Sequence, residues 1–386
     1  GGIIAMKKEA QVAILAKLIS INSVNGNEAQ VADFIESLFQ PYGKRVQIDR
    51  VPFAPGRDNL VVTIGEGDRM LGFCGHEDVV ATDNPDQWTS DPFVATIRNG
   101  RLYGRGASDM KSGLAAMLVM MLEMLATDTI PGRIRLFATV GEETGEYGAA
   151  QLTKAGYADD LAGLIIGEPT NGLSEVGYTA KGVIDYIVTA IGKQAHSSQP
   201  ENGINAVDQL VDFASQVRPL MASFNQVNPI LGKLTHVQSV FQGGQQVNSV
   251  PAKAVIKGNI RTIPEYPNQV IFDALNQLVD RLNQQPQHQL KLQFSYPEEA
   301  MPGSKDSALV KLIGKVHEEL LASPVRPTGQ TSASDGSEFL YAKGNFDIAL
   351  IGPGNDSKHQ TDEYVDLTAF YQASRFYQQL AQDFFA

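Results

Sequence analysis

The sequence is poor in cysteine, poor in positive charge, and has no long apolar run. A single cysteine, Cys74, excludes an intramolecular disulfide and any Cys-rich zinc site. It also suits a reducing compartment, so a cytoplasmic location is expected. Lysine and arginine total 31 against 43 acidic residues, a net charge of -12. Such a surface repels phosphate backbones, so no nucleic-acid partner is expected, although a local cationic pocket for an acidic substrate remains open. The apolar stretch over residues 114–125 is too short to span a bilayer and contains Glu123, so it predicts a buried helix and no membrane partner. The leading stretch from Gly1 to Met6 lacks a cationic flank, an apolar core and a cleavage site, so no signal peptide is expected. There is no internal repeat, low-complexity tract or long linker. What is present is 386 residues, 43% hydrophobic and 19% charged, enough for two domains with sizeable cores.

Hydrophobic periodicity assigns the elements. Residues 7–38 carry two helical stripes, Val12, Leu15, Ala16 and Ile19, then Val31, Phe34, Ile35 and Leu38. Short apolar runs at 60–64, 70–74, 134–140, 164–166 and 348–351 read as buried strands, interleaved with helices such as 112–125. Between Tyr178 and about Tyr296 the pattern changes to strand, helix, two strands, helix and strand, the order of a ferredoxin-like sandwich. The expected architecture is therefore an α/β domain over residues 1–178 and 297–386, with an α+β domain inserted at 179–296.

The informative signal is where the strands end. The run at 70–74 leads into His76-Glu77-Asp78, and the run at 134–140 into Gly141-Glu142-Glu143. The run at 164–166 leads into Glu168-Pro169-Thr170, and the run at 348–351 through Gly352-Pro353-Gly354-Asn355 to His359. A loop ending in Ser108-Asp109 opens the apolar helix. In open α/β sheets, sites form beyond the carboxyl ends of the strands. If these strands are parallel, one edge gathers two histidines and several carboxylates, whose repulsion a cation would offset. Imidazole with carboxylate, and no thiolate, suits Zn²⁺ better than iron or magnesium. Any one of these acids alone would more often be a helix cap or a surface residue; their conjunction carries the reading.

Together these motifs resemble the M20 metallopeptidases, relatives of acetylornithine deacetylase, succinyl-diaminopimelate desuccinylase and carboxypeptidase G2. The resemblance rests on Gly75-His76-Glu77-Asp78-Val79-Val80, on the segment from Gly104 to Gly113, on Gly141-Glu142-Glu143 and Gly167-Glu168-Pro169-Thr170, on His359, and on Gly192-Lys193-Gln194-Ala195-His196-Ser197-Ser198. It implies a zinc-peptidase-like catalytic domain, an inserted lid that dimerises, and two divalent ions, Zn²⁺ with Co²⁺ as a substitute. It implies His76 and Glu168 on one ion, Glu143 and His359 on the other, and Asp109 bridging. Asp78 would hydrogen-bond the second ring nitrogen of His76. Glu142 would be the general acid/base, and His196 would stabilise the oxyanion, often from the partner of a homodimer. Read without the resemblance, His196 could as well cap a helix or bond the backbone.

The substrate is less defined. Arg261 and Asn248 resemble substrate-touching positions, Arg261 suited to a carboxylate. They read equally as a surface ion pair and a turn residue. The segment Ser334-Asp335-Gly336 is similar to desuccinylase-like members, but those tend to carry Gly-Gly-Thr before it and here Ser332-Ala333 stands there, which removes a hydroxyl. The ranking is succinyl-diaminopimelate desuccinylase first, acetylornithine deacetylase second, then a dipeptidase or aminoacylase. The small-molecule partner is thus an N-acyl amino acid or a dipeptide. Two alternatives lie outside catalysis by metal: an inactive relative that binds a small acylated amino acid, and a metal-free α/β binding protein.

Overall fold

The computed structural model describes residues 5–386; residues 1–4, part of the leading stretch considered above, lie outside them. The chain divides into two compact units. Among the described residues, the larger comprises 5–178, 303–328 and 334–386, the smaller 179–302 and 329–333.

The large unit is built on an eight-stranded sheet in the order Val46–Ala54, Arg57–Ile64, Arg133–Thr139, Met70–His76, Leu161–Ile166, Asp347–Leu350, Glu175–Ala180 and Arg326–Gln330. Its four central strands, Arg133–Thr139, Met70–His76, Leu161–Ile166 and Asp347–Leu350, run parallel. This meets the condition set by the sequence: their carboxyl ends share one edge. Every residue of Met70–His76 is buried, as expected of a strand covered on both faces. The first two strands form an antiparallel hairpin whose half-exposed outer strand, Val46–Ala54, is broken by Gln47, Asp49 and Arg50 in its first half and by Pro52 in its second, so periodicity does not register it.

The helix Lys111–Thr127 is buried from Lys111 to Leu125. It packs on the strand Met70–His76 and against the helices Lys8–Ser20 and Leu367–Phe385. An all-round apolar helix needs such enclosure. Removing a side chain as large as Leu118 from it would cost about 2–5 kcal/mol. The helix starts close to the sheet edge because Gly113 has no side chain: a Cβ there would lie 2.2 Å from the Gly167 carbonyl oxygen. The periodic stretch at 7–38 is two helices, Lys8–Ser20 and Glu28–Phe39, separated by a turn containing the left-handed Asn25 and Asn27.

The small unit is a four-stranded antiparallel sheet in the order Thr235–Gly243, Lys253–Thr262, Gly182–Ile191 and Leu290–Glu298. Helices Ala206–Ala222 and Asn268–Asn283 complete the ferredoxin-like arrangement. Alternating burial along Gly182–Ile191 places Ile184, Tyr186, Val188 and Ala190 in a core with Leu210, Phe213, Ile271 and Leu275. The expected boundary near 297 falls inside the strand Leu290–Glu298, and residues 329–333 group with this unit too. The alternation of that strand is carried by polar residues past Phe294, so hydrophobicity alone ends it too early.

Among the described residues, no helix is long and apolar enough to cross a membrane.

Candidate metal centre and active site

The parallel strands deliver their terminal residues to one place. His76 ends its strand with no exposed side-chain area, and its Nε2 lies 3.0 Å from Asp109 Oδ1 and 3.5 Å from Glu168 Oε1. From the other direction, His359 Nε2 lies 3.1 Å from Asp109 Oδ2 and 3.0 Å from Glu143 Oε1. Asp109 therefore divides its two oxygens between two histidines. The sets His76/Asp109/Glu168 and Asp109/Glu143/His359 each bring three ligand atoms within 4.8 Å of one another, a spacing that could hold a cation. Glu142 Oε2 is 3.7 Å from His76 Nε2.

Glu142 and Glu143 are neighbours in sequence but act in different directions. Gly141, in the left-handed region, opens a short helical turn at Glu142–Gly145. Successive side chains on a helical turn diverge by about 100°. Glu142 Oε2 thus comes nearest His76, and Glu143 Oε1 reaches His359, while an oxygen of each also falls within 4.8 Å of a His76 ring nitrogen. Three buried carboxylate contacts hold this turn. Asp78 Oδ1 accepts the Glu142 N–H at 3.1 Å, Asp78 Oδ2 the Glu143 N–H at 3.0 Å, and Glu28 Oε1 the Gly141 N–H at 3.2 Å.

This corrects the expected contact of Asp78. His76 Nδ1 donates to the Asp78 main-chain carbonyl at 2.9 Å, while Asp78 Oδ1 stands off at 3.5 Å. The carboxylate is instead drawn to the two amide donors of the glutamate turn. The tautomeric consequence is unchanged: Nδ1–H is committed, and Nε2 points to Asp109 and Glu168.

Burial and charge shape the site's proton affinities. Burial opposes a charge on His76, but Glu142, Glu168, Asp109 and Asp78 outweigh it and raise its pKa well above the usual value. Hydrogen bonds to Asp109 and Glu143 raise His359 to about 10. Burial, reinforced by the carboxylate of Glu168, pushes Glu142 well up, and burial with Asp109 does the same to Glu168. Burial also opposes ionisation of Asp109, yet bonds to His359 and His76 win and lower its pKa. A site that crowds four carboxylates and two imidazoles without a cation holds extra protons.

Other sequence-predicted residues lie in the small unit. His196 is exposed on the short strand Ala195–His196, paired with Ser249–Val250. The Ser198 N–H donates to its Nδ1 at 3.1 Å, which leaves the proton of the neutral ring on Nε2. Asn248 is exposed, and its main-chain carbonyl accepts the Ser197 N–H. Arg261 is half-buried on Lys253–Thr262 and makes no ion pair within 4 Å among the described residues. Its charge, after burial, contributes to lowering Lys181.

Several supporting residues have partners that no motif in the sequence assigns. Arg57 grips Glu28 with two bonds, at 2.6 and 2.9 Å. Lys111 is fully buried, donates to the carbonyls of Leu18 and Ile21 at 2.7 and 2.9 Å, and is lowered to about 7 by burial. Asp335, behind the site, accepts the Thr139 hydroxyl at 2.6 Å and is pushed up to about 6 by burial. The one available clue was Arg105 within Gly104-Arg105-Gly106: an arginine between glycines at a strand-end loop needs a carboxylate partner if it is buried.

The family model for peptidase family M20/M25/M40 matches residues 72–383. A probable succinyl-diaminopimelate desuccinylase from Staphylococcus epidermidis is 35% identical, over 93% of this chain and 94% of that one. An acetylornithine deacetylase from Proteus mirabilis is 27% identical, over 94% of each chain. The fold matches the crystal structure of a tripeptidase from Staphylococcus aureus with a TM-score of 0.78 and 21% identity, over 99% of each chain. A family match that takes in all five ligands expected from the sequence, His76, Asp109, Glu143, Glu168 and His359, settles the classification: the chain is a hydrolase belonging to peptidase family M20/M25/M40.

Proposed function

We propose that the chain hydrolyses the amide bond of an N-acyl amino acid, with N-succinyl-diaminopimelate its substrate. The observation that carries the reaction class is Asp109 divided between His76 and His359, with Glu142 beside it. The desuccinylase assignment is supported by the 35% identity over nearly the whole chain.

The donor set fits two divalent cations, and Zn²⁺ best suits imidazole with carboxylate. Glu168 Oε1 is buried with no hydrogen-bond partner, which is costly for a carboxylate unless a cation faces it. His76 and Glu168 would hold one ion, His359 and Glu143 the other, and Asp109 both. When bound, the cations supply Lewis acidity to a carbonyl oxygen and acidify water.

The chain's own residues do the rest. Glu142 takes a proton from the attacking water and then hands it to the leaving nitrogen. Asp78 fixes the backbone from which Glu142 projects. His196 presents Nε2–H as a donor to the oxyanion, and Arg261 and Asn248 contact the substrate. A homodimer in which His196 serves the partner's site completes this reading; light scattering that fits a monomer at assay concentration would remove it.

The decisive assay is a panel of N-succinyl-diaminopimelate, N-acetylornithine, other N-acyl amino acids and dipeptides with added Zn²⁺ or Co²⁺. The desuccinylase reading requires the succinyl substrate to have the highest kcat/KM. Preference for N-acetylornithine transfers the assignment to the deacetylase, and no turnover of any amide defeats the hydrolytic reading.

A further inference from the structure

We propose that Glu363, locked to Arg105, is a positioning residue that keeps Asp109 and His359 in register for cation binding. The inference rests on the reading that Asp109 bridges two ions. Neither Glu363 nor Arg105 belongs to the candidate ligand sets.

The pair is buried, with 2% of the Arg105 side chain and none of Glu363 exposed. Arg105 Nη1 donates to Glu363 Oε1 at 2.9 Å. Glu363 Oε2 accepts two successive backbone N–H groups, from Ser108 at 2.9 Å and from Asp109 itself at 3.1 Å. The same guanidinium reaches two further segments. Nη1 donates to the carbonyl of Gln360, the residue after His359, and Nη2 to that of Ala81, just beyond His76-Glu77-Asp78, both at 2.9 Å. The Trp88 ring covers the guanidinium at 5.0 Å. One ion pair thus joins the three segments that bring His76, Asp109 and His359 together.

The chemistry calls for a carboxylate. Every group facing Glu363 in these contacts is a donor, so both its oxygens must accept. A glutamine would turn an NH₂ toward Arg105 or toward the two amides, and a buried donor would then meet a donor. The loss should fall unevenly on the site. His76 is held by its own strand and by the Asp78 carbonyl. His359 sits on a loop with φ of 61° and half its side chain exposed, so the Arg105 contact at Gln360 is a larger part of what fixes it.

The test is Zn²⁺ titration of metal-stripped wild type, E363Q and R105K against a chromophoric chelator, with melting temperatures recorded in EDTA. Supporting groups of this kind typically change metal affinity by roughly 10- to 100-fold. The expected result is loss of that size in the weaker of two binding steps, with the tighter step much less affected. Wild-type affinities in both steps for E363Q overturn the proposal. So does an equal fall in both steps that tracks a lower melting temperature, since that describes a structural role alone. If E363Q does not fold, E363D is read the same way, its shorter arm being unable to span Arg105 and both amides. If wild type takes up only one ion, the bridging reading fails separately, and unchanged affinity for that ion in the variants overturns the role of Glu363.

Discussion

His76 and His359 approach Asp109 from opposite sides at nearly equal distances, 3.0 and 3.1 Å, but their surroundings differ. His76 ends a buried parallel strand, and none of its side chain is exposed. His359 lies on a loop after the strand Asp347–Leu350, with 50% of its side chain exposed. The loop is tied down by neighbours: Ser108 Oγ bonds both the carbonyl and the N–H of Asn355, each at 2.8 Å, and Arg105 holds Gln360. A Cβ on Gly354 would come within 2.2 Å of the Ser108 carbonyl oxygen, so the two loops meet at a glycine. One half of the site is thus organised by the sheet and the other by loop contacts. The lesson is that equal ligand geometry need not mean equal affinity.

The largest expected effect assigns the chemistry to one half. Glu142 sits on the His76 side, and Glu142→Ala should lower kcat by about 10²–10⁴-fold, the range for a lost general acid/base. Metal analysis should still find both ions. A variant as fast as wild type would disprove the role of Glu142.

A smaller but more discriminating effect is expected from the two histidines. His76→Ala should remove the tighter Zn²⁺ step, and His359→Ala the weaker one. Loss of the tighter step from His359→Ala instead would reverse the comparison, and indistinguishable profiles would abolish it.

The smallest effect is in stability against pH, and it requires metal-free protein. His359 is raised to about 10 by Asp109 and Glu143. Its stabilising contribution is complete below the unfolded value near 6.5 and is lost as pH rises through about 10. The raised carboxyls act in the same direction: Asp335, pushed to about 6 by burial, and Glu142 and Glu168 hold protons that the unfolded chain has released. Asp109 acts oppositely, since its lowered pKa stabilises above its unfolded value, and so does Lys111, lowered to about 7, but these are outnumbered by the raised groups. The balance predicts a melting temperature in EDTA that falls from mildly acidic pH toward pH 9, and excess Zn²⁺ should flatten the slope. A rise with pH in EDTA would contradict this account.

The sequence exposed most of the ligand candidates because each follows a short apolar run. Val46–Ala54 was not legible, because Gln47, Asp49 and Arg50 interrupt its first half, Pro52 its second, and its burial is incomplete. Glu28, Arg57 and Glu363 were hidden for a different reason. Their partners lie far away in the chain: Gly141 is 113 residues from Glu28, and Ser108 is 255 from Glu363. No periodicity records such a pairing, and a buried acid looks like a surface one until its donors are placed. Asp78 shows the finer limit: its position was readable, but whether its carboxylate or its carbonyl meets His76 is decided by the turn at Glu142–Gly145.

Cys74 offers a use for this difference between the halves. It is the chain's one thiol, lies two residues before His76, is fully buried, and contacts Asp335 at 3.6 Å. Burial, with Asp335 and Glu168, pushes its pKa well up, so the thiol is inert while the strand stays closed. A small alkylating reagent can therefore reach it only when the sheet around the site opens, and the rate of modification becomes a clock for that opening. Run with and without metal, the clock would show how far cation binding fastens the strand that carries His76, with no engineered label.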